Sequence, residues 1–169
     1  AESVKFFSKK FDRIIGIDNN LRQYFFGKTA SVKPNINLLR NKIKNYKHMK
    51  IDIRNNSKIE SIFKNYKKNI KFILHSAAQP SHDLAASRPF DDFDVNAVGT
   101  LNLLESLRRY STDIPFIHLS TNKVYGDKLN TLSSLKQSRQ KFYSMCDWTV
   151  HTDKLTPDQI AIEIITNII

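Results

Sequence analysis

Short runs of consecutive apolar residues alternate along this chain with stretches in which apolar side chains return every three or four positions. That alternation is expected of βαβ units around a parallel sheet. Val4, Phe7 and Phe11 stand at helical spacing across the opening segment, and Arg13-Ile-Ile-Gly-Ile-Asp18 then reads as a buried strand ending in a carboxylate. A loop rich in Asn, Gly and Pro is expected next, followed by a second strand at His48–Ile53 that carries Asp52 near its end. Ser57-Lys-Ile-Glu60 has the form of a capping box, and Ile59, Ile62, Phe63 and Tyr66 supply the apolar stripe of the helix it would start.

Lys71–His75 reads as a short strand, and the loop Ser76–Pro89 follows it. The spacing predicts a long helix from about Phe90 to Tyr110, with Phe90, Phe93, Ala97, Leu101 and Leu104 on one face and Gly99 permitting close approach to the sheet. Pro115–Leu119 is the next strand and leads into Ser120–Gly126. Beyond about Ser133 the alternation weakens. One more helix is expected after Thr156-Pro157, with Gln159 completing a cap, although its isoleucines match a period of two nearly as well. The fold class is therefore α/β, with a doubly wound parallel sheet.

Composition narrows this picture. The 169 residues are 40% hydrophobic and 25% charged, the balance of one globular domain of ordinary size. Cys146 is the single cysteine, which excludes a disulfide framework and a multi-cysteine zinc site and fits a reducing cytoplasm. The longest apolar run, Ile160–Ile169, is interrupted by Glu163, Thr166 and Asn167, so no membrane span is expected. The formal net charge is +11. It is uneven: residues 1–71 carry 18 Lys or Arg against 5 acids, and residues 72–169 carry 9 against 11. No zinc-finger spacing, basic zipper or RGG run accompanies the excess. The lysines read as solvated helix faces, and nucleic acid is not the expected partner.

Ligands in doubly wound sheets sit beyond the carboxyl ends of the strands. The segments to examine are thus those at Asp18, Asp52, Ser76–Ser81 and Ser120–Gly126. An acid at the end of a strand that follows a helix is where a dinucleotide fold hydrogen-bonds the adenosine ribose, and a carboxylate there favours NAD over a 2′-phosphorylated cofactor. Many such residues merely begin a turn. The glycine loop that would precede that acid by roughly 20 residues is not in these 169 residues, and there is no initiator Met. The sequence thus reads as starting on the helix that would face the pyrophosphate, without its first strand. An unpaired sheet position of that kind would make it prone to associate.

The strings IIGIDNNLRQYFFG, HSAAQPSHDLAASRPFDDFDVNAVGTLNLLES and STNKVYGD resemble the extended short-chain dehydrogenases/reductases, the NAD-dependent epimerase/dehydratase family. Within that family they are most similar to nucleotide-sugar epimerases of the CDP-paratose (CDP-tyvelose) 2-epimerase type. The resemblance runs from about Ala1 to Leu132. It implies a partial NAD-binding Rossmann domain over residues 1–132, a divergent tail over 133–169, and neither a first strand nor a C-terminal substrate domain.

By position, the resemblance implies that Asp18, Asn19 and Asn20 bind the adenosine ribose, and that Asp52 and Ile53 lie against adenine. Ala77, Ala78 and Gln79 would face the ribose and nicotinamide side of NAD, and Asn96 would hold the central helix to the sheet and shape the cofactor site. Thr121 matches the active-site hydroxyl, with Asn122 and Lys123 facing a CDP-sugar substrate. The implied isomerase chemistry is transient oxidation and reduction of a sugar carbon, with proton transfer through a Tyr made acidic by a Lys four residues on. Homo-oligomers are implied for the full-length family member.

After Thr121 no Tyr-x-x-x-Lys occurs, since Tyr125 is followed four on by Leu129 and Tyr143 by Asp147. Tyr24–Lys28 and Tyr46–Lys50 match the spacing but precede the catalytic strand and receive no role. No turnover and weakened NAD binding are therefore expected of these 169 residues. Two other readings stay open: a nucleotide-sugar 4,6-dehydratase, for which Asp-Glu rather than Asn122-Lys123 is expected after the Thr, and a non-catalytic nucleotide- or anion-binding remnant. The histidines show no metal-ligand spacing, and His75 and His118 read as packed strand residues. Asp91, Asp92 and Asp94 read as acids favouring a helix start.

Overall fold

The computed structural model describes residues 1–119 and 155–168. Its elements run in the order α1 (Glu2–Phe7), β1 (Ile14–Ile17), α2 (Leu21–Phe26), α3 (Lys33–Lys42), β2 (Tyr46–Met49), α4 (Asn56–Tyr66), β3 (Ile73–His75), α5 (His82–Ser87), α6 (Pro89–Phe93), α7 (Gly99–Tyr110), β4 (Phe116–His118) and α8 (Pro157–Ile168). Every strand pairing among the described residues is parallel. β1 pairs with β2 in the register Ile14–Tyr46 to Ile17–Met49, and β3 with β4 in the register Ile73–Phe116 to His75–His118. Helices separate the paired strands, so the fold is α/β and Rossmann-type.

Two compact units divide the chain, one of residues 1–70 with 77–114 and the other of 71–76 with 115–169. In the first, α3 packs on β2, α1 on β1, and α4 on α7. Its buried apolar residues are Phe7, Leu39, Ile59, Ile62, Phe63, Val95 and Leu103. The turn before β2 is tied back to the first helix by Asn45, whose Nδ2 donates to the carbonyls of Ser8 (2.9 Å) and Phe11 (2.8 Å). Gly16 on β1 lies under the Tyr46 ring, where a methyl group would come within 2.7 Å of Tyr46 Cε2. In the second unit, β3 and β4 carry the His75 and His118 rings, 5.0 Å apart.

Several elements depart from the sequence-based expectations. The segment expected as a loop after Asp18 holds α2 and α3. Asn20 takes the left-handed conformation at the start of α2, and Pro34 occupies the first turn of α3, where its missing N–H costs nothing. The second strand lies at Tyr46–Met49, two residues earlier than expected at its start and four at its end. The Asn55 side chain, accepting from Lys58 N–H at 3.0 Å, caps α4 in place of Ser57. The loop after β3 contains α5, capped by Ser81.

The long helix after Arg88 exists, but a π-type turn at Asp94–Val98 interrupts it. Phe90, Phe93, Ala97, Leu101 and Leu104, expected to face inward, are all exposed, while Val95, Gly99, Leu103 and Ser106 are buried. Gly99 does permit a close approach, although the partner is the loop residue Ile53. The last helix is helical throughout, and its capping box is reciprocal: Thr156 N–H donates to Gln159 Oε1 at 2.8 Å and Gln159 N–H to Thr156 Oγ1 at 3.3 Å. Among the described residues, no helix is long and apolar enough to cross a membrane.

Candidate cofactor site

Asp18 follows the last residue of β1, and its N–H continues the ladder by donating to the Met49 carbonyl at 3.2 Å. The carboxylate is exposed, and its Oδ1 accepts the Asn20 N–H at 2.5 Å. Such an Asx turn orients one oxygen and leaves the group solvated. Asn20 itself is used by the protein: its Oδ1 accepts from Val32 N–H at 2.8 Å and from Ser31 Oγ at 3.3 Å, and its Nδ2 donates to Gln23 Oε1 at 2.6 Å. It knots the start of α2 to the start of α3. Asn19 Oδ1 accepts from Leu21 N–H at 2.9 Å, while its Nδ2 reaches across to Asp52 Oδ2 at 2.8 Å. That bond joins the loops after β1 and β2.

Asp52 is the most engaged acid in the first unit. Arg54 donates to it through its backbone N–H (2.9 Å to Oδ1), its Nε (3.0 Å to Oδ1) and its Nη2 (2.7 Å to Oδ2). The Arg54 guanidinium holds the Asp52 carboxyl below the usual carboxylate range, and Asp52 in turn raises Arg54. From Arg54 a chain of charges continues to Asp91 at 3.8 Å, from Asp91 to Arg88 at 2.6 Å, and from Arg88 to the Tyr24 hydroxyl at 2.6 Å. The Arg88 guanidinium also lies 4.8 Å from the centre of the Tyr24 ring.

The next loop is fixed from the long helix. Ala77 and Ala78 are exposed, whereas Gln79 is buried. Gln79 N–H donates to Asn96 Oδ1 at 2.9 Å, and Asn96 Nδ2 donates back to the Gln79 carbonyl at 3.1 Å. The Gln79 carboxamide turns inward, donating to Ser81 O at 2.9 Å and Asp92 Oδ1 at 3.1 Å. Two turns along, Asn102 Nδ2 donates to the carbonyls of Ile53 (2.9 Å) and Arg54 (3.1 Å), and Ile53 rests against Gly99. One helical segment therefore anchors both the Asp52 loop and the Gln79 loop. Asn96 and Asn102 satisfy loop carbonyls that strand pairing does not reach.

The sequence reading missed Arg54, Arg88 and Asn102, and gave Asp91 and Asp92 only a helix-start role. Asp91 and Asp92 do stand at a helix start, but each also has specific partners, Arg54 with Arg88 for the first and Gln79 with Asn96 for the second. The spacing from Asn96 to Asn102 was the available signal, because a second carboxamide on the same helical segment can serve a second loop. His75 is buried, as a packed strand residue should be; His118 is exposed. Thr121, Asn122 and Lys123, together with Cys146, lie outside the described residues. Among those described, no cluster of three or more metal-binding side chains occurs.

The carboxylate arrangement fits the adenosine half of a dinucleotide. Asp18 presents an exposed acceptor beyond a strand's carboxyl end, suited to vicinal hydroxyls and unfavourable to a 2′-phosphate. The family model described as GDP-mannose 4,6 dehydratase matches residues 2–143. CDP-paratose 2-epimerase of Salmonella typhi is 39% identical over 83 residues, which is 49% of this chain and 24% of that protein. Human dTDP-D-glucose 4,6-dehydratase is 36% identical over 101 residues, 60% of this chain and 27% of that protein.

Among solved structures, UDP-glucose 4-epimerase from Bifidobacterium longum, in complex with NAD+ and UDP, superposes with a TM-score of 0.59 at 20% identity. The match covers 86% of this chain and 46% of that one. It shows the shared fold. The chain spans about a quarter of the length of the two relatives named above. With its family model matched over most of its length, the chain belongs to the GDP-mannose 4,6 dehydratase family, within the NAD-dependent epimerases and dehydratases of the extended short-chain dehydrogenase/reductase group.

Proposed function

We propose that this chain serves a nucleotide-sugar epimerase of the CDP-paratose 2-epimerase type, in which it holds the adenosine half of NAD. The observation that carries the reading is the exposed Asp18 carboxylate, with its neighbour Asn19 bonded to the Asp52 loop, which Asn102 holds in place. Asp18 accepts the ribose hydroxyls; Ile53 lies against the purine; the backbone of Ala77 to Gln79 borders the second ribose. When bound, NAD supplies reversible hydride transfer at a sugar carbon. Thr121 hydrogen-bonds the sugar near that carbon, and Asn122 and Lys123 contact the nucleotide sugar.

The sequence holds no Tyr-x-x-x-Lys after Thr121, so proton transfer by that pair is not available within these 169 residues. Binding is accordingly the measurement that tests the reading. Titration calorimetry should find saturable NAD binding, competed by ADP-ribose and at least about tenfold weaker for NADP, as expected when a carboxylate meets a phosphate. A second reading, a 4,6-dehydratase acting on a dTDP-sugar, draws support from the dehydratase relatives. The pair Asn122-Lys123, where that class is expected to carry Asp-Glu, favours the epimerase. Binding of CDP but not dTDP alongside NAD supports the epimerase, and the reverse supports the dehydratase. Salt-dependent DNA binding without any response to NAD would sink both.

A further inference from the structure

The amino ends of β1 and β2 border a second concavity, at the far end of the strands from Asp18. Arg13 immediately precedes β1 and Asp18 immediately follows it, so about 16 Å of extended chain separates the two. The cavity measures about 350 Å³ and is lined by Asp12, Arg13, Lys44, Asn45, Tyr46 and Lys47. Its two sides are tied together by Asn45. The side-chain Nδ2 donates to the carbonyls of Ser8 (2.9 Å) and Phe11 (2.8 Å), and the Asn45 carbonyl accepts the Ile14 N–H at 2.9 Å. These bonds lace the connection entering β1 to the one entering β2, which keeps Arg13 on the same cavity as Lys44 and Lys47.

Three cations thus line one cavity against a single acid, Asp12, and all four residues are exposed. Among the described residues Arg13, Lys44 and Lys47 enter no ion pair, whereas Lys5, Arg54 and Lys64 each hold an acid. Helix-end preference accounts for Lys42 in the last turn of α3, but these three lie outside the helices. We infer that this cleft binds a compact polyphosphate. Charge density decides the class: one nucleic-acid strand spreads a single charge over about 3.4 Å of axis, whereas a di- or triphosphate concentrates several within one cavity. The two lysines act on such a group as point charges and Arg13 as a planar fork, while Asp12 opposes it and limits its affinity. The inference does not depend on the dinucleotide reading.

The probe is inorganic tripolyphosphate, titrated calorimetrically into the 169-residue chain at neutral pH and low salt. Binding should saturate at one per chain, be at least about tenfold tighter than that of orthophosphate, and weaken as salt is added. Lys44→Ser combined with Lys47→Ser should weaken it by about tenfold. Lys33→Ser combined with Lys58→Ser, on α3 and α4, should change it by less than about twofold, since these lysines lie outside the cavity. Asp12→Asn should tighten it by about threefold, because it removes the opposing charge. Equal losses from the two lysine pairs mean a diffuse ion atmosphere and overturn the inference, as does absence of saturable binding. Tightening by Asp18→Asn in place of Asp12→Asn puts the anion at the other end of β1 and also overturns it. Oligothymidylate binding more tightly than tripolyphosphate, and lost with Lys44 and Lys47, overturns the ligand class. Every substituted residue is exposed, and circular dichroism checks that each variant keeps the parent fold.

Discussion

Asn96 closes a hydrogen-bonded ring with the main chain of Gln79, accepting its N–H at 2.9 Å and donating to its carbonyl at 3.1 Å. The carboxamide acts as a one-residue strand edge: it meets a donor and an acceptor that the short strand β3 leaves behind. Asn96→Leu should destabilise the first unit by about 2–3 kcal/mol, because two partly buried backbone groups lose their partner. Asn96→Asp keeps the acceptor but sets a carboxylate oxygen against the Gln79 carbonyl and Asp92 Oδ1, and should cost at least as much. Urea unfolding of the three chains checks the order, and equal stability of all three would remove Asn96 from this role.

Gly99 and Ile53 make a second contact that responds to substitution in a conditional way. A Cβ at position 99 would lie 2.5 Å from Ile53 Cδ1 and 2.6 Å from its Cγ1. Gly99→Ala alone should destabilise by about 1–2 kcal/mol through overpacking. In an Ile53→Ala background the same change should stabilise by about 0.5–1 kcal/mol, since the helix gains propensity and the obstacle is gone. A double-mutant cycle with no coupling would contradict the contact.

The first cap of α4 separates two residues that the local sequence presents as rivals. Asn55→Ala should cost about 1 kcal/mol, because its side chain accepts the Lys58 N–H. Ser57→Ala should change stability by no more than about 0.5 kcal/mol, as for an ordinary exposed position. Thermal melts of the two variants decide between Asn55 and Ser57.

Acid should act through different groups in two pH windows. Burial, and then the neighbouring His118, lowers the His75 pKa below its ordinary value near about 6.5. Between the folded and unfolded values the unfolded chain binds more protons, so stability falls as pH drops from about 6.5 toward the folded pKa. His48, lowered by burial, adds to the same slope. His75→Gln should flatten this limb in a pH series of unfolding curves, and an unchanged slope would exclude His75 as its source.

Asp52 governs a lower window. Its folded pKa is held down, first by the Arg54 hydrogen bonds, so its contribution is fully present above the ordinary carboxylate value near about 3.9. That contribution is lost as pH falls further, through the folded pKa. Arg54→Met should remove this part of the acid dependence while leaving the histidine limb intact. Loss of both limbs together would point to general unfolding of the variant.

How much was legible beforehand depends on the range of the forces involved. β1, β3, β4, α4 and α8 lie where short apolar runs and three-to-four spacing put them, because those patterns reflect burial of one face, which local sequence encodes. Asp18 was found by the same means, from its place at a strand end. Asn19, Asn20, Asp52, Gln79 and Asn96 were picked out by resemblance, yet their hydrogen-bond partners lie up to 33 residues away for Asn19–Asp52 and 17 for Gln79–Asn96.

The remainder came from packing across the chain. Phe90 and Phe93 before the π-type turn and Leu101 and Leu104 after it all face outward, and nothing in their spacing announces it. Arg54, Asp91 and Arg88 are scattered charges in the linear text and become a continuous ladder only when two segments converge. The alternation of elements and the acid at the end of β1 are properties of neighbouring residues, so the order of amino acids alone determines them. Which carboxylate is free and which is saturated depends on side chains brought together from distant segments, and that is settled only by the folded arrangement.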